Sequence, residues 1–328
     1  MEQVSSSSYK KGLWVFLGFF IVFLFINIIM GKYFYEYALY HEIFDIFIPC
    51  LIYLIVTKKP ILSTLKLDKK INKKSIMIIF QLFLISFLLK FGINYLALLT
   101  GQIDPSQVTA KVMEMIPNLF TLFIVVAIMP SFLEEIIIRG IVLNNFTDTT
   151  LWQSAVMTGL LFGFMHVDLG QFGYTTALGM IMAAIVICTG SLWGSILFHF
   201  LNNFLAVLFL WIYQTIEKII PKEYIDVLSE GDNTQAVVQN NLLEKIYGST
   251  FAIICLGLGI FLTVHYVKKL KKVNVGEVIN IAVEKDAEVE LDSQKQGDIR
   301  VSWRRLFLNI PFLFIILIYV GVNIWISK

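Results

Sequence analysis

Apolar residues in this chain come in runs too long and too continuous for the core of a water-soluble domain. About 20 apolar residues in a helix cross the hydrocarbon core of a bilayer. Runs of that order fall near 12–30, 38–57, 75–99, 118–145, 150–168, 173–189, 191–213, 249–267 and 306–326. Composition agrees with the runs. Hydrophobic residues make up 57% of the 328 and charged residues 15%, where soluble proteins average about 45–50% and 25%. So few charges cannot cover a water-exposed surface of this size. The expected fold is all-α, a polytopic membrane bundle of about eight to nine transmembrane helices. The first run follows Lys10 and Lys11, and no small-residue cleavage site comes after it, so it reads as a retained anchor.

Orientation follows from the lysines and arginines, which favour the cytoplasmic side. With the N-terminus in the cytoplasm and loops alternating, the inside receives Lys10, Lys11, the run from Lys58 to Lys74, Lys268–Lys272 and Arg300–Arg305. The largest outer loop, about 214–248, is mostly acidic, with Glu217, Glu223, Asp226, Glu230, Asp232 and Glu244. This predicts a multi-pass protein of the cell membrane, organised in four parts. Residues 1–117 hold three helices and a basic cytosolic loop, 118–213 a polar-bearing core, 214–248 the acidic outer loop, and 249–328 the last helices with a cytosolic segment at 268–305. Within that segment, 273–299 reads either as a small hairpin or as a flexible linker.

Two broad classes drop out. No basic patch interleaved with aromatics sits on a soluble domain, so nucleic acid is not an expected partner. Cys50, Cys188 and Cys255 lie far apart within apolar runs, which fits buried thiols and no disulfide framework.

Ionisable groups at the centre of a membrane helix cost about 2.5–3.5 kcal/mol each on insertion scales and mark function by default. The fourth run carries three, in Glu134-Glu135-Ile-Ile-Ile-Arg139; the fifth ends Phe162-Gly-Phe-Met-His166; the seventh contains His199-Phe-Leu-Asn202-Asn203. Glu135 and Arg139 stand four apart with the acid first, the favourable order for an ion pair, so they read as structural support. Glu134 lies about 100° further round the helix and can face the bundle interior. His199 and Asn203 share a face, and Phe162 lies one turn before His166. By contrast, His41, Glu42 and Asp45 fall at the outer start of the second run and read as interfacial.

A working site needs its groups at one depth. Measured from the cytoplasmic turns at 1.5 Å per residue, Glu134 lies at ~18 Å, His166 at ~24 Å, His199 at ~12 Å and Asn203 at ~18 Å. These depths allow one cluster near mid-membrane. A carboxylate and an imidazole can together deprotonate a water, and a second imidazole with a carboxamide can donate to a developing oxyanion. No serine or cysteine stands in a nucleophile motif, which favours direct attack by water. Two histidines and a glutamate are also a zinc set with one open position, and residue types alone leave metal and metal-free chemistry both open.

The ordered motifs Glu-Glu-x-x-x-Arg, Phe-x-x-x-His and His-x-x-x-Asn, met here as Glu134–Arg139, Phe162–His166 and His199–Asn203, resemble those of the CPBP family. That family groups type II CAAX prenyl proteases with bacteriocin-processing and immunity (Abi) proteins. The resemblance covers about residues 118–213. It implies a membrane-embedded, metal-independent endopeptidase that needs no cofactor. Glu134 with His166 would activate water, His199 with Asn203 would form the oxyanion site, and Glu135, Arg139 and Phe162 would support them. It also implies a conical core cavity open to the cytosol. The ninth run and the 268–305 segment depart from the family's compact core. The substrate would be a peptide or a membrane-anchored protein tail. A second reading keeps the fold without turnover, as an immunity or binding protein that engages a bacteriocin or a sensor kinase. A third, a proton-coupled transporter, lacks the inverted repeat such proteins show.

Overall fold

The computed structural model describes residues 8–33, 42–99, 118–219, 242–285 and 301–326. Among these, nine apolar helices follow one another: α1 (Ser8–Tyr33), α2 (Ile43–Thr57), α3 (Lys73–Leu99), α4 (Leu119–Asn145), α5 (Leu151–Met165), α6 (Leu169–Thr189), α7 (Leu192–Ile219), α8 (Leu242–Lys285) and α9 (Ile310–Ile326). Six are long and apolar enough to cross a membrane, while α2, α5 and α9 are shorter. The polytopic helical bundle expected from hydropathy is the architecture observed. Large apolar side chains such as Phe25, Val56, Phe120, Phe209, Phe261 and Leu317 remain exposed on its outside, as a lipid solvent requires.

The helices alternate in direction, because the loops that should meet do meet. Tyr9 at the start of α1 donates its backbone N–H to Asp148 in the α4–α5 turn and its hydroxyl to the Arg305 carbonyl before α9. Ser191 and Leu192, at the α6–α7 turn, donate to the carbonyls of Lys69 and Lys66. Asn72 and Ser75 at the start of α3 bond Asn274 on α8. Gln153 on α5 donates to the Val301 carbonyl. Every lysine-rich loop named above therefore gathers at one end of the bundle, here called the lysine-rich end.

Two sequence expectations change. The backbone of α8 runs unbroken to Lys285, so the 273–285 stretch is helix and not a hairpin; 286–299 lie outside the described residues. Helix α7 continues to Ile219, which trims the acidic loop; most of that loop, 220–241, is also outside them.

Close helix pairs rest on glycine. A Cβ on Gly179 of α6 would come within 2.9 Å of the Gly159 Cα on α5, and one on Gly163 would meet Thr176 and Phe172. Small residues four apart let transmembrane backbones approach in this way. On the other side of the bundle, Gly92 of α3 lies as close to Ala252 and Leu256 of α8.

Helix α4 is not uniform. It passes through a π segment at Phe123–Ile128, an α segment at Met129–Glu135, a second π segment at Ile136–Val142 and a final 3₁₀ turn. Pro130 follows the first π segment, just as Pro49 follows the π turn Ile43–Phe47 that opens α2. Proline has no N–H to give to the carbonyl four residues back, so the ladder loosens before it.

Gly179→Leu tests the α5–α6 contact. It should lower the thermal midpoint of detergent-solubilised protein by the equivalent of about 1–3 kcal/mol, the usual cost of overpacking. An unchanged midpoint would mean that the two backbones do not touch.

Candidate functional site

The centre of the site is one carboxylate. Glu135 Oε1 accepts from Arg139 Nη1 at 2.7 Å and stands 3.2 Å from His199 Nδ1. Glu135 and Arg139 are fully buried. A carboxylate oxygen can only accept when ionised, so the His199 Nδ1 carries the hydrogen in this contact. The other ring nitrogen, Nε2, points to Glu134, with 3.8 Å to Oε2. His199 thus lies between two adjacent glutamates of α4. Ser195, fully buried one turn earlier on α7, faces the same Glu135 carboxylate.

Arg139 is held on three sides. Beyond Glu135, its Nη2 donates to the Gly179 carbonyl at 3.0 Å, and its guanidinium lies 4.5 Å from the centre of the Phe162 ring. The glycine contact of α5 with α6 is what brings that carbonyl within reach. Phe162 also meets both histidines edge-on, at 4.7 Å from His166 and 5.6 Å from His199. One aromatic ring on α5 therefore spaces the guanidinium and the two imidazoles.

His166 caps α5 where the helix stops. Its Nδ1 lies 2.9 Å from the Phe162 carbonyl, and a carbonyl only accepts, so Nδ1 holds the hydrogen and Nε2 keeps its lone pair. The next residue, Val167, has φ +51°, a left-handed conformation that is an outlier for a β-branched side chain. Asp168 then caps α6 through the N–H groups of Gly170 and Gln171, and Gln171 Nε2 and the Tyr174 hydroxyl extend the chain of bonds.

Asn203 donates its Nδ2 to the Val126 carbonyl at 3.0 Å. Val126 stands four residues before Pro130, which has no N–H to offer it. The side chain of α7 supplies the donor that α4 lacks.

Glu134, Glu135, Arg139, Phe162, His166 and His199 come together; Asn203 lies on the same face of α7, one turn past His199, tied to α4. The resting contacts pair Glu134 with His199, and His166 with its own helix. Among the described residues, no three His, Cys, Asp or Glu side chains are gathered as a metal site would need. The cysteines are free, Cys50 and Cys255 buried and Cys188 partly so. Sequence reasoning missed the Gly179 carbonyl, and it missed Glu42 and Asp45. These two were read as interfacial and are in fact 7% and 0% exposed. The first described turn of α2 is tucked against α1 and α4. His41 lies outside the described residues.

Residues 116–205 match the family model described as type II CAAX prenyl endopeptidase Rce1-like. The chain is also similar to the putative membrane peptidase YdiL of Bacillus subtilis (strain 168), 28% identical over 104 residues. That stretch is 31% of this chain and 43% of the relative, so the chain spans less than half of the curated relative it matches. No solved structure matches. The resemblance read from the three motifs is borne out over this segment.

Glu135→Gln leaves Arg139 without its counter-charge. Breaking a buried pair from one side costs about 3–5 kcal/mol, so the variant should be far less abundant and less heat-stable than wild type. The double variant Glu135→Gln/Arg139→Met should recover much of that loss. If Glu135→Gln alone melts like wild type, Glu135 is not the counter-ion of Arg139.

Proposed function

We propose that this protein is an intramembrane endopeptidase in which a water, activated by Glu134 with an imidazole, attacks a peptide bond. The observation that carries this reading is the Glu135–His199–Glu134 arrangement within the segment that matches the endopeptidase family. Glu135 is neutralised by Arg139 and serves to orient His199. Glu134 is not bound to a cation by any short contact and retains the capacity to take a proton. A carboxylate that must move a proton is poorly served by a salt bridge, and the adjacent pair divides the two tasks.

The supporting roles follow from the bonds already made. His166, with Nδ1 fixed on the Phe162 carbonyl, presents a basic Nε2 and can share the water with Glu134. A proton taken from the water by Glu134 passes to the leaving amine, so the carboxylate is restored in each cycle. Asn203 has two amide hydrogens and spends one on Val126; the other can stabilise the developing oxyanion, together with His199 when its Nε2 also carries a proton. The substrate class is a peptide or the tail of a membrane-anchored protein. The lysine-rich end is assigned to the cytoplasm by the positive-inside rule, with the cavity opening to that side.

The alternative is an immunity or binding role on the same scaffold, with a bacteriocin or a sensor as partner. It has no use for a carboxylate kept free of Arg139, which is why hydrolysis is preferred.

The deciding experiment compares peptides released by cells that express wild-type protein or Glu134→Gln at matched membrane levels. New peptide ends should appear with wild type alone. Identical peptidomes, with the variant still supporting its host phenotype, would transfer the function to binding. Asn203→Asp gives a second test. It places a carboxylate against the Val126 carbonyl, removes both amide donors, and should lower kcat by about 10²–10³-fold, the usual loss for an oxyanion donor. An unchanged rate would remove Asn203 from the oxyanion site.

A further inference from the structure

A backbone outlier stands directly beside His166, and no role assigned so far uses it. Helix α5 opens at Leu151 near the lysine-rich end and runs to Met165, about 21 Å at 1.5 Å per residue. Only His166, Val167 and Asp168 separate it from α6. The reversal has to be tight, because α5 and α6 lie against each other from the turn onward: a Cβ on Gly163 would meet Thr176 and Phe172. A left-handed residue after the helix makes such a reversal, and glycine is the usual choice. Here the left-handed residue is Val167, with φ +51°. Valine is an outlier in that conformation, which glycine adopts at no steric cost.

Three contacts hold the outlier in place. The Val167 N–H donates to the Phe164 carbonyl at 3.2 Å. Its side chain is half-buried and packs on the main apolar core. Asp168, the next residue, is clamped to α6: Oδ1 accepts from the Gly170 N–H at 2.8 Å and Oδ2 from Gln171 Nε2 at 2.9 Å. Gln171 in turn accepts from the Tyr174 hydroxyl at 2.9 Å. On the other side of Val167 stands His166, with Nδ1 donating to the Phe162 carbonyl at 2.9 Å. That bond sets the rotation of the ring. It does not set where the His166 backbone stands once α5 has ended; the turn does.

We propose that Val167 is a positioning residue for His166, a stiff side chain held left-handed between the core and the Asp168 clamp so that the ring keeps one tautomer and one direction. A β-branched residue has few conformations open to it, whereas glycine has many. Strained backbone of this kind persists where its surroundings over-determine it, and such positions gather at functional sites. The turn trades ease of folding for a fixed imidazole.

This inference rests on His166 sharing the water with Glu134, but its first test reads the ring and not turnover. The protein is labelled with ¹⁵N-histidine and held at mildly alkaline pH, and the His166 signals are identified by their loss in His166→Gln. Wild type and Val167→Ile should show the Nδ1–H tautomer alone, and Val167→Gly a mixture. An unchanged His166 spectrum in Val167→Gly overturns the proposal, as does a wild-type ring protonated on Nε2. Where the glycine variant is poorly expressed, Asp168→Ala releases the same turn from its other side and should give the same mixture; a wild-type spectrum there also overturns it. The second test uses the fluorescence-quenched peptide that wild type cleaves best from a hydrophobic library. Val167→Gly should lower kcat by about 10-fold or more, since a small misplacement of a reacting group is costly. KM and the thermal midpoint should hardly move, because relief of strain offsets the lost packing. A wild-type kcat, or a loss of kcat matched by a fall in midpoint, would leave Val167 with a structural role alone. If Glu134→Gln cleaves as well as wild type, the endopeptidase mechanism itself fails, whatever the His166 spectrum shows.

Discussion

The contact on which the rest depends is the buried bond between Glu135 and Arg139. A guanidinium cannot lose its proton under ordinary conditions, so once Arg139 is placed in a membrane helix the protein must surround it. The 2.7 Å ion pair supplies the charge, the Gly179 carbonyl supplies an acceptor, and the face of Phe162 supplies the π cloud. Each partner comes from a different helix, so satisfying one side chain fixes α4, α5 and α6 against one another. The glycines at 159 and 179 make this possible, since any Cβ there would hold the Gly179 carbonyl away. His199 then completes the set by taking the same carboxylate from α7. What looks like a catalytic cluster is also the polar joint of four helices.

Helix irregularities concentrate at the same depth. The π segments of α4 bracket the glutamates, Pro130 frees the Val126 carbonyl for Asn203, and α5 ends at His166 well short of a full membrane crossing. Irregular backbone at this depth is tolerated only where it is buried in protein or lines a water-filled cavity. The left-handed Val167 belongs to the same pattern. Such a conformation costs of order 1–3 kcal/mol and persists where neighbours over-determine it. Here the capped start of α6 on one side and the bonded ring of His166 on the other leave the backbone no alternative. The hydrolysis proposed above requires water at a level where lipid excludes it, and irregular backbone of this kind is what a water-filled cavity allows.

Much of this was legible in the chain because the membrane makes polar residues conspicuous. Glu134, Glu135, Arg139, His166 and His199 stand out against apolar runs, and a spacing of four predicts the ion pair and the packing of Phe162 beside His166. Other features left no such trace. A helix that is apolar all round has no periodicity for a π segment to disturb, so the path of α4 could be read only from coordinates. Gly179 is one glycine among many until its carbonyl is seen. Glu42 and Asp45 were misplaced for a physical reason: a span assigned by length alone is pushed outward until it reaches about 20 residues. The described part of α2, Ile43–Thr57, is shorter than that, and the turn that carries Asp45 packs inside the bundle.

The reach of the family match sets a further constraint on what distinguishes this protein. It stops at residue 205 and begins at 116, yet the surroundings of the site do not. The first turn of α2 packs on the Met129–Glu135 segment of α4, and α9 sets Phe312 and Tyr319 against Phe164 and Phe172 on the helices that flank His166, with rings 4.9 Å to 6.1 Å apart. The polar groups held by α4, α5 and α7 lie inside the matched segment, and their geometry is set by Arg139 and its partners. Helices α2 and α9, which pack round the elements that carry them, lie outside the matched segment.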